Sequence, residues 1–320
     1  MRNIRIPGDL SVFVADVAQL YLSETTKLVL ILKSSVKMKE KMFKTAPLPF
    51  QGQKRRFAGA FVSLMQEIKE KGTQTVFVDL FGGSGLLSHI AKRINPNCKV
   101  VYNDFDNYTQ RLRNIDKTNR LLKDIREVLS NYPDSKKVNE EKRSIILKII
   151  EVEDRSGYVD YITLSASILF SSKYVTSFLE LKKEAFYNRI KAEPYNFNVD
   201  EYLCGLDIVC ADYKELYLMY RNVPGVYFII DPPYLSTDTK TYSSDKYWKL
   251  KDYLDVLSVL VDSNYIFFTS NKSSLIDLCE WFDENRRIGN PFKNSVLNTH
   301  QVTLNRNSKY MDMMLYKFVK

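Results

Sequence analysis

The chain reads as an open α/β sheet with helices on both faces, interrupted by a helical insertion. Three observations predict this class. Apolar strand-like runs at 75–80, 99–102, 206–211, 226–230 and 265–269 alternate with segments of helical spacing, the pattern of a parallel sheet. The run Val226-Tyr227-Phe228-Ile229-Ile230 is apolar throughout, as a strand covered on both faces must be. Between about residues 107 and 205 the alternation stops, and the sequence becomes charged and helical in pattern.

Residues 1–44 are read as an N-terminal extension of uncertain role. They hold short apolar runs at 11–14 and 27–33, and a basic stretch from Lys37 to Lys44. From Lys54 to Lys71, Phe57, Phe61, Leu64, Met65 and Ile68 recur at helical spacing. The strand at 75–80 runs into Phe81-Gly82-Gly83-Ser84-Gly85, a glycine-rich turn, and Leu86–Ile94 reads as the helix it opens. The strand at 99–102 follows and ends in Asn103-Asp104. These pieces form a strand–turn–helix–strand unit. After the insertion come a strand at 206–211, a helix around 214–220 and the strand that ends at Asp231. A polar loop, 236–241, separates these from a helix at 250–261, a strand at 265–269 and a helix at 274–282. Runs at 295–304 and 309–318 flank Asn305-Arg306-Asn307-Ser308 as a closing hairpin. The expected division is a sheet domain made of 45–106 and 206–320, with 107–205 as the insertion.

A chain of 320 residues, 45% hydrophobic and 27% charged, can bury a large core. Its net charge of +9 favours a polyanionic partner. The four cysteines (Cys98, Cys204, Cys210 and Cys279) form no C-x-x-C pair, and the two histidines are His89 and His300. That argues against a zinc site and against a disulfide framework, and points to a reduced, cytoplasmic protein without a metal. No apolar run reaches membrane-spanning length.

Two motifs carry the chemistry. Gly82, Gly83 and Gly85 follow a buried strand and open a helix, where the backbone can approach a ligand closely. Asp104 ends the next strand, about 20 residues on, where an acid bonds ribose hydroxyls. Together they indicate a nucleoside-containing cofactor. The glycine spacing is not G-x-G-x-x-G, which disfavours a pyrophosphate dinucleotide. The second motif, Asp231-Pro232-Pro233-Tyr234, sits where a central strand ends, and ligands of open α/β sheets bind at such ends. Asp231 and the bare proline carbonyls are acceptors and Tyr234 is a flat platform, which suits an exocyclic amino group on a planar base. A turn that merely ends a strand is the plain alternative. Pro49-Phe50-Gln51-Gly52-Gln53-Lys54, upstream, reads by itself as a helix entry.

Taken together these residues resemble the Dam-like, D12-class N6-adenine DNA methyltransferases of the α group, over roughly residues 47–106 and 206–318. The family has an F-x-G-x-G loop that binds S-adenosyl-L-methionine and a catalytic D-P-P-Y. Here these are Phe81-Gly82-Gly83-Ser84-Gly85 and Asp231-Pro232-Pro233-Tyr234. The resemblance implies a Rossmann-like methyltransferase sheet and double-stranded DNA as partner; a monomer is one reading of the chain's oligomeric state. Phe50 and Lys54 match the aromatic and the lysine of the family's N-terminal motif, while Gln51 and Gln53 depart from it. Asp104 matches the ribose-binding acid, and Asp212 an acid or amide that holds the cofactor's adenine. The expected cofactor-binding set is Phe50, Lys54, Asp79, Phe81, Gly82, Gly83, Gly85, Asp104, Asp212 and Asp231. The insertion is the family's target-recognition segment, yet it lacks the Asn-Gly and Arg-rich stretch that reads GATC. The nearest match is Ser171-Ser172-Lys173-Tyr174 with Lys182, Lys183 and Arg189, which reads more readily as a solvated helix face.

The implied reaction needs a flipped adenine stacked on Tyr234, its amino protons accepted by Asp231 and the Pro232 carbonyl. Related enzymes acting on RNA adenine or cytosine N4 remain alternatives, although the cytosine enzymes usually carry Ser in place of Asp231. A silent DNA-binding relative and a hydride-transfer enzyme are more distant.

Overall fold

Residues 41–72, 75–170, 173–233, 249–271, 273–284, 289–305 and 308–319 are described by a computed structural model. The chain divides into two units after Lys41, and the sheet with its helices belongs to the unit from Met42 onward. Seven strands form one sheet: β1 (Val76–Asp79), β2 (Lys99–Asn103), β3 (Asp207–Val209), β4 (Val226–Ile230), β5 (Tyr265–Ser270), β6 (Val296–Asn305) and β7 (Ser308–Lys317). Their order is β3-β2-β1-β4-β5-β7-β6. The first five are parallel; β7 runs antiparallel to β5 and forms a hairpin with β6. The chain leaves β1 toward β2 and β3, then returns to build outward through β4 and β5. The order therefore reverses between β1 and β4, and ligands of such sheets bind beyond the carboxyl ends at this point.

Apolar side chains cover both faces. On one, α1 (Ala58–Glu70) and α2 (Leu86–Ile94) bury Phe57, Phe61, Met65 and Ile90 against Phe77, Ile229, Phe268 and Met314. On the other, α9 (Tyr213–Tyr220), α10 (Leu250–Leu260) and α11 (Leu275–Glu284) bury Leu216, Val256, Leu257 and Leu275 against Val78, Phe228 and Phe267. All five residues of β4 and all six of β5 are buried, which explains their unbroken apolar runs. The element bounds lie within one or two residues of the sequence reading, except that α1 begins at Ala58, because 54–57 form turns.

Between β2 and β3 come α3 (Tyr108–Arg113), α4 (Ile115–Val128), α5 (Glu140–Ser156), α6 (Tyr161–Ile168), α7 (Phe178–Leu181) and α8 (Val199–Leu203). Most of this segment packs around a core of its own, with Leu121, Ile125, Ile146, Ile150, Leu164 and Phe186 at its centre. A smaller cluster joins it to the sheet: Leu48, Tyr102, Tyr108, Leu112, Tyr202 and Leu203. Residues 1–40, Tyr234, the 236–241 loop and Ser171-Ser172 lie outside the described residues.

Candidate active site

The loop after β1 is built for close approach. Gly85 has φ +70° and hands the chain to α2. A Cβ on Gly82 would collide with the Tyr102 ring and stand 2.8 Å from the Asn103 carbonyl oxygen, so no side chain fits there. The loop is held from behind. The Tyr102 hydroxyl lies 2.8 Å from the Gly83 carbonyl, and the Tyr202 hydroxyl donates to the Ser84 carbonyl at 2.9 Å. Phe50 packs over Gly83 and meets Tyr108 edge-on at 5.6 Å.

In front of the loop lies a cavity of about 700 Å³, lined by Phe50, Gln51, Leu80 to Gly83, Asn103, Phe105, Asp106, Ala211 to Lys214, Asp231, Pro233, Lys249 and Asp252. It joins the carboxyl ends of β1, β2, β3 and β4, where the topology puts a ligand. Four rings face it (Phe50, Phe81, Phe105 and Tyr213), and Phe81 lies 4.9 Å from Tyr213. Phe105 stays exposed despite its size.

At the inner end stands Asp231. Burial pushes its carboxyl up to about 6; the Lys54 ammonium pulls it down, and Asp312 pushes it up. Lys54, itself buried, lies 2.6 Å from Asp231 Oδ2 and donates to the Gly52 carbonyl at 2.7 Å. Pro232 and Pro233 are buried, and Pro233 faces the cavity. Tyr234 is outside the described residues.

The predicted residues do not all meet in one place. Phe50, Phe81, Gly82, Gly83, Asp212 and Asp231 line the cavity. Lys54 reaches it through Asp231. Gly85 lies behind, at the start of α2. Two carboxylates of the expected set bond elsewhere in this structure. Asp79 is buried, accepts from Ser88 Oγ at 2.7 Å, and leaves Oδ1 without a partner. Burial lifts its carboxyl to about 7, opposed by hydrogen bonds from Ser88 and the Phe81 backbone. It thus braces the glycine loop from inside. Asp104 turns to the start of α3, accepting from Tyr108 N at 2.6 Å, from Thr109 N at 3.0 Å and from the Thr109 hydroxyl. Those bonds satisfy orphan amides of a helix end and leave the cavity wall to Phe105 and Asp106.

Asn103 was missed by sequence reasoning as a structural part. Its Nδ2 donates to the carbonyls of Leu80 and Ala211, and its Oδ1 accepts from Ala211 N, tying three strand ends together. The signal was a lone amide closing an otherwise apolar strand. Asp212 caps α9 by accepting from Lys214 N at 2.8 Å. Among the described residues no group of three or more His, Cys, Asp or Glu could hold a metal ion. No described helix is long and apolar enough to cross a membrane.

The family model of the D12 class N6 adenine-specific DNA methyltransferases matches residues 50–274, a span from Phe50 past the Asp231 strand end and β5. A Haemophilus influenzae (strain Rd) protein named "Putative methyltransferase" is 36% identical over 283 residues, which is 87% of this chain and 94% of that protein. With glycine loop, cavity and Asp231 gathered where the strand order of one mainly parallel sheet reverses, these matches show that the chain belongs to the D12 class N6 adenine-specific DNA methyltransferase family.

Proposed function

We propose that this protein transfers a methyl group from S-adenosyl-L-methionine to the N6 amino group of an adenine flipped out of double-stranded DNA. The observation that carries this is a single cavity with the glycine loop at one wall and Asp231 at its inner end. Its volume, about 700 Å³, falls within the roughly 300–1,000 Å³ of small-ligand sites. The residues present fit a nucleoside sulfonium. Gly82 leaves the loop backbone bare, and the rings of Phe50, Phe81, Phe105 and Tyr213 offer flat apolar faces. Phe50, Phe81, Phe105, Asp106 and Asp212 would hold it. When bound, it supplies an activated methyl group.

The chain's own part is orientation and electrostatics. A base inside a duplex cannot reach a recessed strand end, so flipping is required, at a cost of a few kcal/mol. Asp231 accepts one amino hydrogen, and the Pro232 carbonyl accepts another. Holding both hydrogens aims the nitrogen lone pair along the line of transfer. Tyr234 would stack on the base. Ionised Asp231 is the stronger acceptor, so activity should fall as pH drops through about 6. The segment 107–205 would read the target sequence, with 45–106 and 206–320 as the catalytic domain.

Asp231→Ala tests the assignment. The variant should fold and bind S-adenosyl-L-methionine, yet transfer methyl groups at least about 100-fold more slowly, as expected when orientation of the acceptor is lost. Methyl incorporation from labelled S-adenosyl-L-methionine into duplex DNA measures this. Turnover near the wild-type rate by a folded variant removes Asp231 from the chemistry.

A further inference from the structure

Lys54 touches one carboxylate and acts electrostatically on a second, Asp312. Its ammonium is 2.6 Å from Asp231 Oδ2 and lies over the Phe268 ring, 5.9 Å from the centroid. Phe268 belongs to β5. On one side β4 brings Asp231 beside it, one step past the Ile230–Phe267 pair. On the other, β7 pairs Met314 with Phe268 and Asp312 with Ser270. Alternate residues of a strand share a face. Ile229 and Asp231, Phe268 and Ser270, and Met314 and Asp312 therefore point to one side. That side is the one α1 covers, since Ile229, Phe268 and Met314 share a core with Phe57 and Phe61. The Asp312 side chain is only 13% exposed, and Arg56 Nη1 approaches its Oδ2 at 4.0 Å. His300 is its cross-strand neighbour on β6.

We propose that Asp312 is a positioning residue for methyl transfer: it shares the Lys54 ammonium with Asp231 and so keeps the catalytic carboxylate available to the amino group. The inference rests on the reading that Asp231 orients the adenine amino group. An ammonium wholly committed to Asp231 would occupy one acceptor oxygen and weaken the other. A second, half-buried carboxylate across β5 draws that charge away. The electrostatics show that the two carboxylates are coupled: Asp312 pushes the Asp231 carboxyl up, so it trades some ionisation at low pH for a freer acceptor oxygen above it. Burial raises Asp312 itself, while Lys54, Arg56 and His300 hold it down. Asp79, whose own carboxyl is pushed up by Asp231, faces the group from β1, and Tyr310 on β7 bonds to Arg56.

The test is the pH profile of single-turnover methyl transfer from labelled S-adenosyl-L-methionine to an adenine-containing duplex, with thermal melts as the folding control. In Asp312→Asn the acid limb should move to lower pH by about half a unit or more, since a nearby like charge has been removed, while the plateau rate above the limb falls because Lys54 then holds an Asp231 oxygen more tightly. Asp312→Glu should restore the limb, and Lys54→Met should move it up. If Lys54→Met moves the limb and Asp312→Asn does not, Asp312 has no such role while the site reading stands. If neither moves it, the limb does not belong to Asp231, and the site reading fails too. Should Asp312→Asn not fold, Arg56→Gln carries the test. Arg56 is half exposed, and its loss leaves Asp312 to compete harder for Lys54. The limb should then rise, and an unmoved limb overturns the proposal.

Discussion

Burial raises both Asp79 and Asp231, and Asp79 the further of the two. Both carboxylates sit low in the sheet, but Lys54 compensates Asp231 directly at 2.6 Å, whereas Asp79 has a hydroxyl and a backbone amide. Its carboxyl titrates near 7 when folded, against an ordinary value of 3.8. Between those values the folded chain holds a proton that the unfolded chain has released. The contribution of this group to stability is therefore present below about pH 4 and is lost as pH rises through about 7. Asp79→Asn should remove the loss while keeping an acceptor for Ser88. Its melting temperature relative to wild type should climb between pH 5 and pH 8. A flat or falling difference would show that Asp79 is not buried in this way. Single residues were legible where the backbone betrays them. Glycines in sequence announced the loop, and a Pro-Pro pair after an apolar run announced the strand end. The direction of a carboxylate was not legible. Asp104 turns away because Asn107, at φ 54°, starts α3 directly beneath it, and nothing in the local sequence specifies that start.

At the scale of elements, Arg111 makes a buried ion pair inside the insertion and also ties the insertion to the cavity wall. Arg111 of α3 donates through Nε to both oxygens of Asp160, at 3.0 and 3.1 Å, and Asp160 caps α6 by accepting from Thr163 N. The same guanidinium reaches the Pro49 carbonyl at 2.7 Å, next to Phe50 in the cavity wall. Tyr108 pins the neighbouring residue by bonding both the amide and the carbonyl of Leu48. Arg111→Met leaves Asp160 as an uncompensated buried charge. Chemical denaturation should show a loss of about 3–5 kcal/mol, and cofactor affinity should weaken because Phe50 loses its support. A loss below about 1 kcal/mol would mean that water reaches Asp160. Strands and helices were legible because their periods are local. This pair spans 49 residues of sequence, and no period connects its members.

For the whole molecule, the topology separates two tasks. The sheet carries the cavity at its reversal point, and most of the segment between β2 and β3 packs on a core of its own. A segment with its own core can change its surface without disturbing the sheet, which suits the reading of different sequences. Exchanging 107–205 for the matching segment of a relative with a different target should transfer the target; an active chimera that keeps its original site would place sequence reading elsewhere. The sheet was legible because alternation of strands and helices leaves few topologies. The arrangement of helices inside the insertion was not, since charged amphipathic helices pack in many ways. Adenine N6 methylation of DNA, on which the whole reading turns, can be read out by expressing the protein in a host whose DNA lacks this modification. One portion of the DNA is then digested to nucleosides for analysis, and another is left intact and sequenced by a methylation-sensitive method. N6-methyladenine is expected at one recurring sequence, present with the wild-type protein and absent with Asp231→Ala. DNA free of N6-methyladenine despite folded protein, or methyl groups found on cytosine N4 or only on RNA, would refute the assignment.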